Sequence, residues 1–375
     1  MQEKDLQYEY WLAGVRRLSA KKKRKLKEAY GSAKAVYYIE ENRLKEQNFL
    51  TEEELHALGR RGVGRESEEE VREKWEKLTE SGIRMIPYDS PEYPGRLTDI
   101  PDPPYALYVR GELPPDGQPS AGIVGARRCT PYGEQMALEY GEALARAGIA
   151  VISGMARGID GAGQRGALNA GGKTYGVLGC GVDICYPREH IGLYMDIIKN
   201  GGVISERFPG EAPLPAYFPE RNRIISGLSD VVLVMEARVK SGSLITADQA
   251  LDQGKDIYAL PGPADSPLSE GCHRLIRQGA GILLSPQDLL EELGMGRIRV
   301  MKKSDKNKKT LESPENMVYS CLGLFPKSTS HIIEETGLEP GRVVEALVSL
   351  VLDGYAREIS KNYYVRARDG ADRKT

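Results

Sequence analysis

The sequence predicts an α/β protein with an extended Rossmann-like, doubly wound and mostly parallel sheet, flanked by an N-terminal all-helical domain and a C-terminal winged-helix domain. Two observations predict the central sheet. Short runs rich in valine and isoleucine, such as DVVLVME at 230–236, lack polar alternation, which is typical of strands covered on both faces. Such runs alternate with helical segments from residue 122 to about residue 293, and right-handed crossovers then place helices on both faces of the sheet.

Length and composition limit the number of domains and the kinds of ligand that this chain can have. A chain of 375 residues predicts two or three domains, and a net charge of -2 argues against a generally basic nucleic-acid binder, so that any phosphate site is a local patch. The five cysteines form no CxxC pair and no zinc-like pattern with the four histidines, so we expect free thiols and no metal. No signal region and no apolar run of about 20 residues is found, which predicts a cytoplasmic protein without a membrane contact.

The first 80 residues predict a separate helical domain. Tyr8 to Tyr38 and Thr51 to Thr79 are rich in Glu, Lys, Leu and Ala, with glycine breaks between the segments. The run KKKRKLK at 21–27 is open to two interpretations, a solvated helix face or a contact with a DNA backbone. The core domain is predicted for 81–297, with a strand in IRMIPY and an irregular, extended, proline-rich segment at 90–111.

The predicted strands of the core share a short apolar run bounded by glycine or other turn residues. They cover residues 122–125, 149–153, 174–179, 202–205, 230–236, 256–262 and 281–284. The loops between them lack the signatures of common cofactor sites. Gly179 and Gly181 give only two glycines of a GxGxxG motif and lead into Tyr186-Pro187 instead of a helix, while GGKT at 171–174 lacks the first glycine of a Walker motif and precedes a strand. We therefore expect no cofactor.

Arginine, glycine and hydroxyl residues recur where the predicted strands end. Because parallel strands present their carboxyl ends at one edge, these residues meet at the edge where α/β proteins bind ligands. Arginine forks bind phosphate, glycine exposes backbone amides, and aromatic faces accept bases, so the pattern favours a polyanion with stackable bases. The candidate binding residues are Gly125, Arg127, Arg128, Ser153, Gly154, Arg157, Arg188, Phe218, Arg221, Asn222, Arg223, Lys240, Gly242 and Ser243.

Several motifs, in the same order over about 180 residues, together resemble the DNA processing protein A family, also called DprA or Smf. They are IVGARRCTPYG, VISGMARGID, GCGVDICYP, SERFPG, FPERNRIISGLSD, VVLVMEARVKSGSLITADQALDQGKDIYALPG and GCHRLIRQGA. The resemblance implies a protein without catalytic activity that binds single-stranded DNA, acts in natural transformation and homologous recombination, and loads the RecA recombinase. It also implies an extended Rossmann core that forms a homodimer.

The resemblance assigns roles to particular residues. Arg127 stands at the arginine of the family's GSR motif, with Ala126 in place of the serine, and Arg188 stands where members carry a basic residue after YP. Phe218 matches a base-contacting aromatic ahead of the RNR motif, and Pro215 replaces a lysine found in some members. The family's dimer segment corresponds to residues around His273, Ile276 and Ile282, although packing inside the domain is an equally good interpretation of their apolar pattern.

The flanking segments resemble parts of the family as well. Residues 11–38, within the helical domain predicted for 1–80, resemble the family's N-terminal domain of SAM or helix-hairpin-helix type, with Leu18 to Lys21 in place of the glycine turn. Residues 298–313 predict a charged linker, 314–367 a winged-helix domain and 368–375 a disordered tail. The predicted recognition helix carries Arg342 against Glu345 and Asp353, so a protein-contact or autoregulatory role is at least as good an interpretation as DNA contact.

Two other functions remain open from the sequence. SGSLITADQA followed by a strand and PG is similar to Rossmann-like nucleotide hydrolases of the phosphoribohydrolase type, but the glutamate of their PGGxGTxxE signature is missing after Thr246. Asp160, Glu206 and Asp248 are the carboxylates available for acid-base work. The other function is a protein-interaction scaffold, which the arginine-rich strand ends do not favour.

Overall fold

A computed structural model describes residues 5–59, 65–295, 313–323 and 326–367. The chain divides into two compact units, one of residues 1–129 and 133–298 and one of residues 130–132 and 299–375. The predicted linker lies outside the described residues apart from Ser313, and the predicted tail lies wholly outside them. No helix in the described ranges is long and apolar enough to cross a membrane.

The first unit is built on a nine-stranded sheet with the order β1-β2-β6-β5-β4-β3-β7-β8-β9. Strands β3 to β9 pair in parallel, whereas β2 pairs antiparallel with both β1 and β6. This confirms the predicted doubly wound, mostly parallel sheet. The strands are β1 (Arg84–Pro87), β2 (Ala106–Gly111), β3 (Ser120–Val124), β4 (Ala150–Ser153), β5 (Thr174–Val177), β6 (Gly202–Ser205), β7 (Val231–Val234), β8 (Asp256–Ala259) and β9 (Gly281–Ile282).

Helices pack against the faces of the sheet. In the N-terminal segments they are α1 (Leu6–Gly14), α2 (Ala20–Tyr30), α3 (Ala33–Tyr38), α4 (Glu41–Lys45), α5 (Glu52–Leu58) and α6 (Glu68–Glu80). Around the sheet they are α7 (Gly95–Thr98), α8 (Pro131–Arg146), α9 (Ile159–Asn169), α10 (Ile191–Asn200), α11 (Tyr217–Leu228), α12 (Gly242–Asp252), α13 (Glu270–Arg277) and α14 (Pro286–Glu292).

The segment 90–111, expected to be irregular throughout, contains strand β2. Ala106, Leu107, Tyr108 and Val109 are all buried, because β2 fills the position between β1 and β6 and is covered on both faces. It pairs with β1 about 20 residues before it and with β6 about 100 residues after it, and the second pairing has no local signal in the sequence. The prediction of an irregular segment was therefore wrong for residues 106–111.

The N-terminal helices form one compact unit with the sheet, so the expected boundary near residue 80 does not separate two units. The ring centroid of Tyr10 lies 4.6 Å from that of Phe208 and 6.5 Å from that of Tyr108, and Trp11 belongs to the same buried cluster. The face of the sheet around β2 and β6 needs an apolar cover, and these aromatic side chains supply it.

The cationic run on α2 makes internal contacts, which neither interpretation of the sequence anticipated. Lys22 pairs with Glu54 at 2.6 Å, and Lys27 pairs with the buried Glu9 at 2.6 Å. Lys23 is 7% exposed and donates to the carbonyl oxygen of Ala13 at 2.5 Å. The run thus ties α2 to its neighbours, because the partners of its charges come from distant segments.

The chain reverses its direction across the sheet between β3 and β7. From β3 it proceeds through β4 and β5 to β6, then returns to the other side of β3 with β7 and continues through β8 to β9. The connection that leaves β3 runs toward β4, and the connection that leaves β7 runs toward β8. The loops at the carboxyl ends of these two neighbouring strands therefore diverge. Open α/β sheets bind their ligands in the crevice at such a topological switch point.

In the second unit, the described residues form α15 (Ser313–Cys321), α16 (Thr329–Thr336) and α17 (Pro340–Leu352), followed by the hairpin of β11 (Ala356–Ser360) and β12 (Tyr363–Arg366). A short strand, β10 (Lys327–Ser328), pairs with β12. Val318, Ile332, Val343 and Leu347 form its core. This is the order of elements that the sequence predicts for a winged helix.

Candidate functional site at the switch point

A cavity of about 370 Å³ lies at the switch point of the sheet. The ends of β3 and β4, the first turns of α11 and the start of α12 surround it, as the sequence predicts for the ligand site of this sheet. Its lining residues are Val124, Gly125, Arg127, Ala156, Asp160, Pro215, Phe218, Pro219, Arg221, Asn222, Ile225, Lys240, Ser241, Gly242, Ser243 and Thr246.

A buried arginine and a buried carboxylate form the floor of the cavity. Arg221 is 4% exposed and donates to the carbonyl oxygen of Gly154 at 2.9 Å and to that of Val177. Asp160 accepts from the backbone amide of Gly154 at 3.1 Å. Burial lowers the pKa of Arg221 to about 10, and burial raises the pKa of Asp160 although Arg221 opposes that rise. Arg221 thus holds two strand ends together as well as lining the cavity.

Phe218 is the aromatic centre of the site. Its ring centroid lies 5.2 Å from Cζ of Arg127 and 5.8 Å from Cζ of Arg221, within the range of cation–π contacts. The ring of Tyr186 lies 5.5 Å from it at an interplanar angle of 39°. A Cβ atom at Gly179 would lie 3.1 Å from the Phe218 ring, so glycine lets the loop after β5 approach this ring closely.

Four of the predicted binding residues are exposed cations. Among the residues that the structure describes, no carboxylate is paired with Arg127, Arg128, Arg188 or Lys240, and all four side chains are exposed. Arg157 differs because it pairs with Glu189. Unpaired cations at the mouth of a cleft attract anions without first breaking a salt bridge. Of the predicted cations, Arg127 and Lys240 line the cavity, whereas Arg157 is engaged with Glu189.

The amino end of α12 adds hydroxyl groups and backbone amides to the same cavity. Ser241 is the N-cap of this eleven-residue helix and accepts from the backbone amide of Ser243 at 3.3 Å. Asn222 donates to the carbonyl oxygen of Gly242 at 3.2 Å, which fastens α11 to the start of α12. These contacts place Gly242 and Ser243 beside the cations, where helix amides favour negative charge.

The structure separates Arg223 from the residues with which the sequence grouped it. Its Nη2 lies 2.6 Å from Oε2 of Glu206 and 3.7 Å from Oδ2 of Asp102, in a second cleft on the other side of α11. At 3.6 residues per turn, positions 221 and 223 of a helix point in nearly opposite directions. Ser153 is fully buried and does not line the cavity, and its hydroxyl donates to the carbonyl oxygen of Ile123 at 2.5 Å.

Tyr186, which is not among the predicted binding residues, lies beside Phe218. It follows the loop after β5, is 38% exposed and stands beside Phe218. Arg188 opens a short 3-10 helix two residues further on, outside the cavity lining. The sequence feature that could have indicated Tyr186 is its place directly before Pro187 and Arg188, after a predicted strand.

The fold is that of a Rossmann-like protein, and an aromatic ring in contact with arginines beside helix amides has the chemistry that suits a ligand carrying both phosphates and planar rings. The comparisons with known proteins agree. The family model described as DNA recombination-mediator protein A matches residues 84–294, and the chain belongs to this family.

Relatives and solved structures support this membership. The chain is 38% identical over 307 residues to protein Smf of Escherichia coli (strain K12), covering 78% of this chain and 79% of the relative. It is 42% identical over 216 residues to DNA processing protein DprA of Bacillus subtilis (strain 168), covering 57% of this chain and 72% of that protein. The crystal structure of DprA from Streptococcus pneumoniae is similar with a TM-score of 0.54 at 34% identity, covering 67% of this chain and 89% of that one.

A DNA processing protein A from Helicobacter pylori, studied for its mode of single-stranded DNA binding, is also similar. Its TM-score is 0.51 at 30% identity, and the match covers 56% of this chain and 95% of that chain. The matched family, the relatives and these structures agree with the resemblance seen in the sequence motifs.

Proposed function

We propose that this chain binds single-stranded DNA at the switch-point cavity and acts as a mediator of DNA recombination. The observation that carries the proposal is Phe218, a partly exposed ring in contact with Arg127 and Arg221, in a cavity that the exposed Lys240 also lines. Arg127, Arg128, Arg188 and Lys240 would bind phosphates, and Phe218 would stack on a base. Stacking requires a base with a free face, which a single strand offers and a duplex does not.

A salt titration tests this proposal directly. Fluorescence anisotropy of a labelled oligothymidylate should show binding whose logarithmic affinity falls linearly with the logarithm of salt concentration, by about 0.7 per neutralised phosphate. A duplex of the same length should compete poorly. Absence of oligothymidylate binding at low salt, in a protein that melts cooperatively, would exclude this function.

Tyr186 should extend the stacking surface beyond Phe218. Because its exposed ring lies 5.5 Å from Phe218, Tyr186→Ala is expected to weaken oligothymidylate binding by about 1 kcal/mol, or roughly fivefold, at the low end for one stacked base. Tyr363→Ala, at an exposed tyrosine of the second unit, is the matched control and should bind normally. Equal affinities of the two variants in the anisotropy titration would remove Tyr186 from the binding surface.

We further propose a homodimer formed through the edge of the sheet at β9. Ile282 is 44% exposed on this strand and the neighbouring Leu284 is 69% exposed, which leaves apolar side chains at an open sheet edge. Ile276 is half-buried against the core, and the Nε2 atom of His273 lies 3.1 Å from the carbonyl oxygen of Gly262. Ile282 is therefore the best of the three predicted residues for a test.

Ile282→Arg should reduce the mass in solution to that of one chain, because a buried, unpaired charge opposes a symmetric apolar contact. Multi-angle light scattering measures this mass. Ile191→Arg, at a 55% exposed isoleucine on α10, serves as control and should retain the wild-type mass. An unchanged mass for folded Ile282→Arg would place the dimer contact elsewhere.

The second unit is proposed to be dispensable for binding a single strand. The outer side of α17 carries Val344, Val348 and Leu352, all exposed, together with Glu345, and offers Arg342 as its cation, which is a poor surface for phosphates. A chain ending near Arg299 should bind oligothymidylate with nearly full affinity. A loss greater than about tenfold, equivalent to about 1.4 kcal/mol, would show that this unit contributes directly.

Two finer assignments complete the proposal. We propose that the bound strand is handed to the RecA recombinase, which the family resemblance implies. Strand-exchange assays with DNA already covered by a single-strand-binding protein test this transfer, since the chain should shorten the lag before exchange.

We also propose that the chain is not an enzyme, because the Asp160 carboxylate is engaged with the Gly154 amide beside Arg221. Release of free base from nucleoside monophosphates would contradict this.

A further inference from the structure

A second cleft of about 500 Å³ lies on the far side of α11 from the switch-point cavity. The turn between α1 and α2, strand β2, the loop after β6 and the outer face of α11 enclose it, and we call it the α11 cleft. Successive residues of α11 face the two spaces. Phe218 and Arg221 line the cavity, whereas Tyr217, Glu220 and Arg223 line the α11 cleft.

Two polar groups that line this cleft have unused hydrogen-bonding capacity. Tyr108 is 1% exposed, and within the described ranges of the chain its hydroxyl has no hydrogen-bond partner. The side-chain oxygen of Gln249 is likewise buried without a partner there, although its Nε2 donates to the carbonyl oxygen of Pro219 at 3.2 Å. Buried polar groups are rarely left unpaired, so such a pair indicates groups that await a ligand.

The charges that line the α11 cleft balance. Arg223 pairs with Glu206 at 2.6 Å, Arg16 lies 3.6 Å from Glu211, and Arg207 pairs with Glu220. Because each of these arginines already has a carboxylate, the cleft has little surplus attraction for a phosphate or for a cation. A neutral ligand with hydrogen-bonding groups fits this balance better than an ion does.

Aromatic side chains provide the remaining surface of the cleft. Tyr105, Phe208 and Tyr217 line it together with Tyr108. The guanidinium of Arg207 lies 4.0 Å from the ring centroid of Tyr217. Flat apolar walls with a few unpaired donors and acceptors suit a planar, neutral ring that carries both kinds of group. A nucleobase has this chemistry.

We propose that the α11 cleft is a nucleobase subsite, which takes a base of the same single strand that stacks on Phe218. The strand would pass around the amino end of α11, where Tyr217 and Phe218 are adjacent in the chain but line different spaces. The Tyr108 hydroxyl and the Gln249 oxygen would bond to the edge of the base. This part of the proposal rests on the proposed binding of single-stranded DNA.

Photocross-linking distinguishes the two spaces. Oligothymidylates with a single 5-iododeoxyuridine at successive positions are irradiated with the full chain, and mass spectrometry identifies the linked residue. One position should link to Phe218 or Tyr186, and a nearby position should link to Tyr217, Tyr105 or Phe208. Links confined to Phe218 and Tyr186 would overturn the subsite and leave the proposed function intact, whereas an absence of all links would contradict both.

Tyr108→Phe tests the hydroxyl itself. Because that group has no partner in the described residues, its removal should leave the melting temperature of the unliganded protein unchanged or higher. Oligothymidylate affinity should fall about threefold to tenfold, without a change in salt slope, because a neutral hydrogen bond is lost. Tyr363→Phe is the matched control. Wild-type affinity and an unchanged cross-link pattern for Tyr108→Phe would overturn the subsite.

Competition with free thymidine tests whether the α11 cleft binds a base of the bound strand or a free nucleoside. In the proposed arrangement, millimolar thymidine should compete with the cross-link to the cleft residues and spare the link to Phe218. If thymidine binds the wild type and not Tyr108→Phe while no oligonucleotide position reaches the cleft, the strand as the source of the base is overturned.

Discussion

Replacing Arg221 with methionine is expected to lower the free energy of unfolding by about 3–5 kcal/mol, as for a buried pair that loses one partner. The arginine is 4% exposed, and its Nη1 atom donates to carbonyl oxygens at the ends of β4 and β5. Its removal leaves those oxygens and the Asp160 carboxylate buried without their cation. Urea unfolding followed by circular dichroism at pH 7 measures the loss.

The same variant should acquire a characteristic pH dependence. Burial already raises the pKa of Asp160, and Arg221 is what opposes that rise, so the pKa of Asp160 should be higher in Arg221→Met. The folded chain then holds the proton more tightly than the unfolded chain. Stability of the variant relative to the wild type should therefore fall as the pH rises from the ordinary aspartate range through the raised pKa.

The double variant Arg221→Met with Asp160→Asn provides the control for this interpretation. Removing the carboxylate charge should restore part of the lost stability and abolish the added pH dependence, because the two residues are coupled. If Arg221→Met unfolds at the wild-type urea concentration, or if Asp160→Asn restores nothing, the buried pair is not what holds these strand ends.

The second large effect is expected at Phe218. Phe218→Ala should weaken oligothymidylate binding by about 1–3 kcal/mol, roughly fivefold to 150-fold, because one stacked base is lost. Stacking releases no counterions, so the salt slope should stay unchanged. Arg221 is anchored to backbone carbonyls and should keep its position when the ring is removed.

Arg127→Ala should have the opposite signature. Its side chain is exposed and contacts the ring of Phe218, and among the described residues no carboxylate is paired with it. Its charge is therefore available to a phosphate. Its removal should reduce both the affinity and the salt slope, the slope by about 0.7. Arg146→Ala, at an exposed arginine paired with Glu142 on α8, is the control. A wild-type slope for Arg127→Ala, with cooperative melting retained, would locate the binding pocket elsewhere.

The sequence by itself determined the alternation of strands and helices in the core, because each buried strand is a short apolar run that local pattern reveals. It also determined that Gly125, Arg127, Lys240 and Gly242 meet at one edge, since parallel strands share their carboxyl ends. Phe218 was identified through its resemblance to the family's base-contacting aromatic ahead of the RNR motif. These inferences depend on local sequence patterns and on the shared direction of parallel strands.

The tertiary structure decided the features that depend on contacts between residues far apart in the sequence. Strand β2 lies inside the sheet because β6 pairs with it from a distant part of the sequence. Several cations of α2 are used internally because carboxylates and carbonyls from other segments reach them. Arg221 and Arg223 are two residues apart in one motif, yet Arg221 lines the switch-point cavity and Arg223 lines the α11 cleft. The packing of α11 against the sheet fixes which side of the helix meets which space, and the sequence pattern leaves that rotation undetermined.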